Sequence, residues 1–381
     1  METTKTRQKL SFLEDYNSDV WSMAELCERY GISRPTGYLW VHRFIEEGEP
    51  GLQERPRRPE ACPHKTAPAI EERILGLRKE HGWGAKKLLQ YLGRHEPEIT
   101  WPARSTINDI LGRHGLLAKR RRRRKWDHPG AVPLVTDGPN QVWPVDFKGQ
   151  FKTRDGIYCY PLTVTDHFSR KLLACTGLPS VRTEHAKPVF VRLFREYGLP
   201  DAIRSDNGPP FASTGIHGLC ALNVWWMKLG IVHQRTHPGS PQENGQHERM
   251  HRELKKDTTN PPEKDMKRQQ RRFNRYRAVY NQERPHEGID GLVPNDLWTP
   301  SSKPYPSKLA GPAYAAHLEV RRVSEAGCFR LHAKQPFLSN ALAQEDIALE
   351  EIGDGVWNII YYETLLGRID ERTGLITGAK L

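Results

Sequence analysis

Nothing in this sequence supplies a disulfide framework or a structural zinc module. Its six cysteines, at 27, 62, 159, 175, 220 and 328, never form a Cys-x-x-Cys pair or a short Cys/His cluster, the spacings on which both depend. Long apolar runs are missing too. No stretch of about 18 apolar residues occurs, and no apolar segment follows the first ten residues as a secretory signal would require. A soluble cytoplasmic protein without a membrane partner is expected. Acidic excess is also absent: 58 Lys and Arg face 46 Asp and Glu, a net charge of +12, which makes a polyanion the first partner to consider. Only 37% of the residues are hydrophobic, yet ten Trp, thirteen Tyr and eleven Phe suffice for ordinary cores, so wholesale disorder is excluded. A chain of 381 residues is long enough for several domains.

The positive charge is unevenly placed. Residues 1–130 carry a net +7, residues 131–309 a net +8 and residues 310–381 a net −3. Its densest point is Lys119-Arg120-Arg121-Arg122-Arg123-Arg124-Lys125, a run that suits a phosphate backbone or a solvated linker and not a core. Before it lie two helical units. In the first, Met23 to Tyr30 has helical apolar spacing and stops at Gly31; Ser33 is placed to cap a second helix, Pro35 fits its first turn, and Tyr38, Leu39, Val41, Phe44 and Ile45 continue it to Gly48. This is helix-turn-helix patterning, with Arg34, Thr36 and Gly37 facing a major groove and His42 and Arg43 nearer the backbone. A second unit repeats the logic over Ile70–His81, Gly84–Leu92 and Ser105–Leu111. The Pro- and Arg-rich linker between them holds Arg55, Arg57 and Arg58, cations suited to tracking a groove or backbone.

From Gln141 the pattern turns to strands, three in succession over 142–147, 158–166 and 171–176, and then to alternating helices and strands. That order implies an α/β sandwich with a mixed sheet. Three carboxylates fall at telling positions: Asp146 in the first strand, Asp206 at the end of the fourth, and Glu248 in the helix after Pro241. Hard divalent cations take oxygen ligands, and carboxylates gathered from separate elements suit metal-assisted phosphoryl displacement. Seen alone, Asp206-Asn207-Gly208 is an ordinary turn and Asp146 an ordinary strand residue.

The wording around them is more specific. Trp143-Pro144-Val145-Asp146-Phe147, Ser205-Asp206-Asn207-Gly208-Pro209-Pro210-Phe211 and Ser240-Pro241-Gln242-Glu243-Asn244-Gly245-Gln246-His247-Glu248-Arg249 occur in order, trailed by Tyr280-Asn281-Gln282-Glu283-Arg284-Pro285-His286. Over roughly residues 20–300 the chain resembles bacterial insertion-sequence transposases with a retroviral-integrase-type, Asp-Asp-Glu core. The resemblance implies an RNase H-like core with a mixed five-stranded sheet, catalytic and metal-binding roles for Asp146, Asp206 and Glu248, and two Mg²⁺ or Mn²⁺ ions. It also implies cleavage at element ends, transfer of the freed 3′-hydroxyl into target DNA, and a homo-oligomeric synaptic complex near the bacterial nucleoid. The 41 residues between Asp206 and Glu248 exceed the usual interval, and the extra length is expected around Gly215–Gly218. Two alternatives remain: a catalytically silent DNA-binding regulator, and a nuclease without joining activity.

His247-Glu248-Arg249-Met250-His251 also satisfies the His-Glu-x-x-His pattern of zinc proteases, a reading that would leave Asp146 and Asp206 unexplained. On the same helix Arg252 and Lys255 share the face of Glu248 and, with Lys148, are expected to grip DNA phosphates. Phe273, Tyr276 and Tyr280 line a basic helix as core contacts, and Asp166, Asp201 and Glu243 are read as structural. The expected organisation is a helix-turn-helix domain (1–52), a linker (53–66), a second such domain (67–117), a basic linker (118–134), the core (135–298), a Pro-rich linker (299–315) and a small SH3-like β-barrel (316–381). Strands of the barrel are expected over 318–323, 328–332, 347–352, 356–361 and 366–369.

Overall fold

The computed structural model describes residues 4–54, 65–117, 134–213, 215, 218–236 and 245–378. Arg55, Arg57, Arg58, the Lys119–Lys125 run, part of the Gly215–Gly218 segment and Glu243 lie outside the described residues. The chain forms two compact units, 1–67 and 68–381.

The first unit contains α1 (Thr4–Asn17), α2 (Met23–Arg29) and α3 (Arg34–Glu47) around Phe12, Leu13, Leu26, Cys27, Val41 and Leu52. Ser22 opens α2 through a capping box: its Oγ accepts from Glu25 N at 3.4 Å while its own N–H donates to Glu25 Oε2 at 2.9 Å. Ser33 does occupy the cap position of α3, but its hydroxyl pairs with Thr36 Oγ1 at 2.8 Å and not with the backbone. Gly37 is buried, and a Cβ there would lie 2.9 Å from Cys27 Sγ and Met23 Sδ. It marks the crossing of α3 over α2 and faces no groove, whereas Arg34 is exposed and Thr36 and Arg43 are half-buried. Of the apolar residues that continue this helix, Tyr38, Leu39 and Ile45 are exposed; so small a unit needs only the stripe of Gly37, Val41 and Phe44 from it.

The second unit begins with α4 (Pro68–His81), α5 (Ala85–His95) and α6 (Arg104–Arg113), packed through Ile74, Leu77, Leu88, Leu92, Ile107, Ile110 and Leu111. The sheet follows: β1 (Val142–Phe147), β2 (Phe151–Lys152), β3 (Tyr158–Thr165) and β4 (Leu172–Leu178), then α7 (Thr183–Tyr197), β5 (Ala202–Ser205), α8 (Ala221–Lys228) and β6 (Val232–Arg235). Helices α9 (Gly245–Thr258), α10 (Met266–Gln282) and α11 (Pro294–Leu297) complete this layer. β1 pairs antiparallel with β3 and parallel with β5, which pairs parallel with β6, while β4 flanks β3. The sheet is mixed, as expected, but has six strands: the two-residue β2 pairs with the start of β3. Trp143, Phe190, Phe194, Leu222 and Trp226 fill the space between the sheet, α7 and α8. Phe273 and Tyr280 of α10 pack with Cys159, Cys175, Met250 and Leu254, so the aromatic stripe is indeed core.

Beyond it, β7 (Glu319–Arg322), β8 (Asp346–Gly353), β9 (Val356–Tyr361), β10 (Thr364–Asp370) and β11 (Ile376–Gly378) form an antiparallel sheet in the order β11-β10-β9-β8-β7. The 328–332 stretch, expected as a strand, makes only isolated bridges, Cys328 to Phe337 and Leu331 to Lys334. The fifth strand is β11, too short and too close to the end for periodicity to reveal. The Gly353-Asp354-Gly355 hairpin turn forms as expected. This sheet does not stand apart: Leu219, Val224 and Met227, from α8 and just before it, join its core. The Pro-rich segment before it is likewise docked, with Leu199 N–H donating to Lys303 O at 2.7 Å and Tyr305 packed on Phe194.

Candidate active site

The pairing of β1 with β5 sets the site. Register runs Val142 to Ala202, Trp143 to Ile203 and Pro144 to Arg204; two residues further on each strand, and so on the same face, come Asp146 and Asp206. Both stand at the carboxyl ends of adjacent parallel strands, where α/β sheets place their chemistry. Asp206 Oδ1 accepts the Gly208 N–H at 3.2 Å, Ser205 Oγ bonds His233 Nε2 at 2.8 Å, and Asn207 Nδ2 donates to Thr236 O at 2.9 Å. The turn reading of Asp206-Asn207-Gly208 therefore holds. These bonds tie the end of β5 to β6 and fix where the carboxylate stands.

Glu248 lies in the first turn of α9, exposed, near enough to Asp146 to act on it electrostatically. Burial, then the charges of Asp206 and Glu248, push the Asp146 carboxyl up to about 7, against the Phe147 N–H and Lys148, which favour its ionised form. Lys148 is itself held below the usual lysine range by burial and by Lys255, with Asp146 opposing. Lys148 and Lys255 thus meet beside the aspartate. Arg252 and Lys255 are exposed, as Glu248 is. Among the described residues no three His, Cys, Asp or Glu side chains already gather tightly enough to hold one metal ion.

The inner face of α9 carries the two histidines whose spacing also satisfies the zinc-protease pattern. His247 and His251 are buried, and both direct Nε2 at Thr163 Oγ1, at 3.0 and 2.7 Å; the same hydroxyl donates to Asp146 O at 3.0 Å. A hydroxyl has one proton and two lone pairs, so with its proton on Asp146 O it can accept from an Nε2–H of each imidazole, and burial favours the neutral rings. Burial lowers His247 to about 4, and burial and His247 lower His251 to about 2. His251 Nδ1 then faces Asp146 Oδ2 at 3.6 Å. Both ring nitrogens a zinc ion would need are occupied by Thr163, and Glu248 is on the exposed side. The His-x-x-x-His spacing did signal two imidazoles on one face, but nothing in the sequence pointed to their partner 84 and 88 residues away. Asp166 accepts from Asn140 N–H and from Ser169 N–H and Oγ, and Asp201 pairs with Lys303, structural roles as read.

Fold and site together define a protein with an integrase-type core. Residues 136–241 and 229–294 match the integrase core domain, and residues 3–53 and 36–111 match homeodomain-like domains. The chain is 26% identical over 232 residues to an insertion element IS407 protein of Burkholderia multivorans, covering 60% of this chain and 77% of that one. It is 26% identical over 254 residues to an insertion element IS476 protein of Xanthomonas euvesicatoria, covering 64% and 68%. It is also 30% identical over 215 residues to the Gag-Pol polyprotein of avian reticuloendotheliosis virus, covering 49% of this chain and only 18% of the polyprotein. The chain is thus similar to insertion-sequence transposases with an integrase-type core. No helix among the described residues is long and apolar enough to cross a membrane.

Proposed function

We propose that the chain binds the terminal inverted repeats of its element, cleaves their 3′ ends and joins them to target DNA. The observation that carries this reading is the placement of Asp146 and Asp206 side by side at adjacent strand ends, with the Asp146 carboxyl raised toward neutrality by burial and by the charges of Asp206 and Glu248. Oxygen donors that repel one another suit a hard divalent cation, and the proposed ligands for Mg²⁺ or Mn²⁺, two ions per site, are Asp146, Asp206 and Glu248. When bound, such ions stabilise charge on the attacking and leaving oxygens of a phosphodiester. The protein's own part is positional. The Thr163 clamp fixes α9 against β1 and β3, and so the distance from Glu248 to Asp146. Lys148, Arg252 and Lys255 supply cations for the flanking phosphates. In each step one P–O bond forms and one breaks: water releases the element's 3′-hydroxyl, which then attacks a target phosphodiester and frees a new 3′-hydroxyl.

Arg34, Thr36 and Arg43 are the proposed contacts of the first unit, with Arg55, Arg57, Arg58 and Arg120 to Arg124 tracking the backbone. A homo-oligomer would bring two element ends together. The tail, proposed as SH3-like, has a net charge of −3 and fits protein contacts within that assembly better than DNA. Incubation of the protein with Mg²⁺ and a labelled terminal duplex tests the reading. Joined product is expected, and Asp146→Asn, Asp206→Asn and Glu248→Gln should each abolish it with end binding retained. Cut-only product would indicate a nuclease, and intact bound DNA a silent regulator.

A further inference from the structure

Just below the carboxylates, on the same face of the sheet, lies a cavity of about 750 Å³ that reaches from Pro144 and Arg204 to α5, the start of α9 and the segment after α10. Its cations are Lys87, Arg170, Arg204, Arg249 and Arg284, and its carboxylates are already engaged. Glu253 pairs with Arg284, Glu287 with Lys86, and Asp166 with backbone and Ser169 donors. Among the described residues Arg249 and Lys87 form no ion pair. Two buried guanidinium nitrogens, Arg170 Nη1 and Arg284 Nε, have no hydrogen-bond partner, although Arg284 is only 8% exposed. An excess of cations over free carboxylates lining one cavity, with Arg249 and Lys87 outside any ion pair among the described residues, favours an anion there. The Arg170 guanidinium reaches its place over Gly288, where a Cβ would lie 3.7 Å from its Nε and Nη2. The field is felt by neighbours: Lys87 is lowered to about 8 by burial and by Arg284, and His286 to about 4 by the same two causes.

We infer that this cavity is a phosphate site, and that its ligand is a phosphate of the DNA strand one to two nucleotides from the phosphodiester held at Asp146 and Asp206. Two strand residues separate Pro144 and Arg204 from the aspartates, ~6.6 Å at ~3.3 Å each, about two nucleotide rises of ~3.4 Å. The assignment to DNA rests on the cut-and-join reading; the anion preference rests on the cations alone.

The test uses the full chain in EDTA, so that binding is read without catalysis, and a terminal duplex in which single phosphates near the cleavage point are replaced by neutral methylphosphonates. In the wild type, neutralising one or two positions should weaken binding roughly ten-fold. In Arg170→Gln/Arg249→Gln, and to a lesser degree in Arg249→Gln alone, the same substitutions should cost less than about two-fold, and the slope of log K against log salt should fall by about 1 to 2. Equal penalties in wild type and both variants, or a map with no sensitive position, would overturn the inference. A flat map together with stabilisation of the wild type, but not the variants, by inorganic phosphate would also overturn it, since the site would then take the free anion. Failure of the joining assay with a normal interference map would count against the proposed reaction and not against the site.

Discussion

Thr163 shows how much one hydroxyl can organise. It holds two buried imidazoles and the backbone oxygen of Asp146, so Thr163→Val leaves two buried N–H donors unmet while keeping the shape. At about 1–3 kcal/mol for each unsatisfied group, the variant should lose on the order of 2–6 kcal/mol in urea denaturation, and joining activity should fall with it; unchanged stability would refute the clamp. The neutral histidines also set an acid limit. His286 and His167 are each lowered to about 4, chiefly by burial. Their unfolded counterparts take up protons below about 6.5, so the stabilisation is complete above that pH and is lost as pH falls toward 4. The urea midpoint should drop across that window, and the His286 imidazole, followed by NMR, should titrate near 4; titration near 6.5 would contradict its burial.

At the scale of elements, α10 does more than fill the core. Among the described residues β4 pairs only with β3, so its other edge would present free backbone groups. Side chains of α10 meet them: Gln270 bonds Gly177 N–H and Cys175 O, Asn281 bonds Leu172 N–H and O, and Arg277 donates to Leu173 O. Sheet edges left open are templates for aggregation, and this one is covered in register by residues 4 and 7 positions apart on one helix. Asn281→Ala should cost about 1–3 kcal/mol and raise aggregation on heating, measured by light scattering. The helical spacing of Phe273, Tyr276 and Tyr280 was readable as a buried stripe. The amide and guanidinium residues among them were not readable as edge caps, because their partners lie about 100 residues earlier.

For the molecule as a whole, the two compact units make different predictions. The first unit has its own core, so a 1–67 fragment should show helical circular dichroism and a cooperative melt. The tail should behave oppositely: its sheet buries Leu219, Val224 and Met227 of the core, and α8 is further tied to it by Lys228 and Glu345. Deleting 310–381 should therefore expose an apolar face and lower solubility and melting temperature, not leave the core untouched. A deletion variant as stable as the full chain would mean that the shared core is dispensable. The uneven charge, +7, +8 and −3 by segment, predicts that DNA affinity resides in the first 309 residues and falls steeply with salt.

Local chemistry along the chain was sufficient to mark the helices, most strands and the turn at Asp206-Asn207-Gly208, because caps and periodicity act over a few residues. It failed wherever the decisive contact was distant. Gly37 had to be seen against α2 to be recognised as a packing position, and His247 and His251 against Thr163 to be separated from a zinc motif. Lys87, Arg170, Arg249 and Arg284 come from four stretches of sequence and share a cavity only once the sheet and helices have packed. Residue type fixes what a side chain is able to do; which charges share one low-dielectric space, and so reinforce or oppose one another, is decided by the tertiary fold.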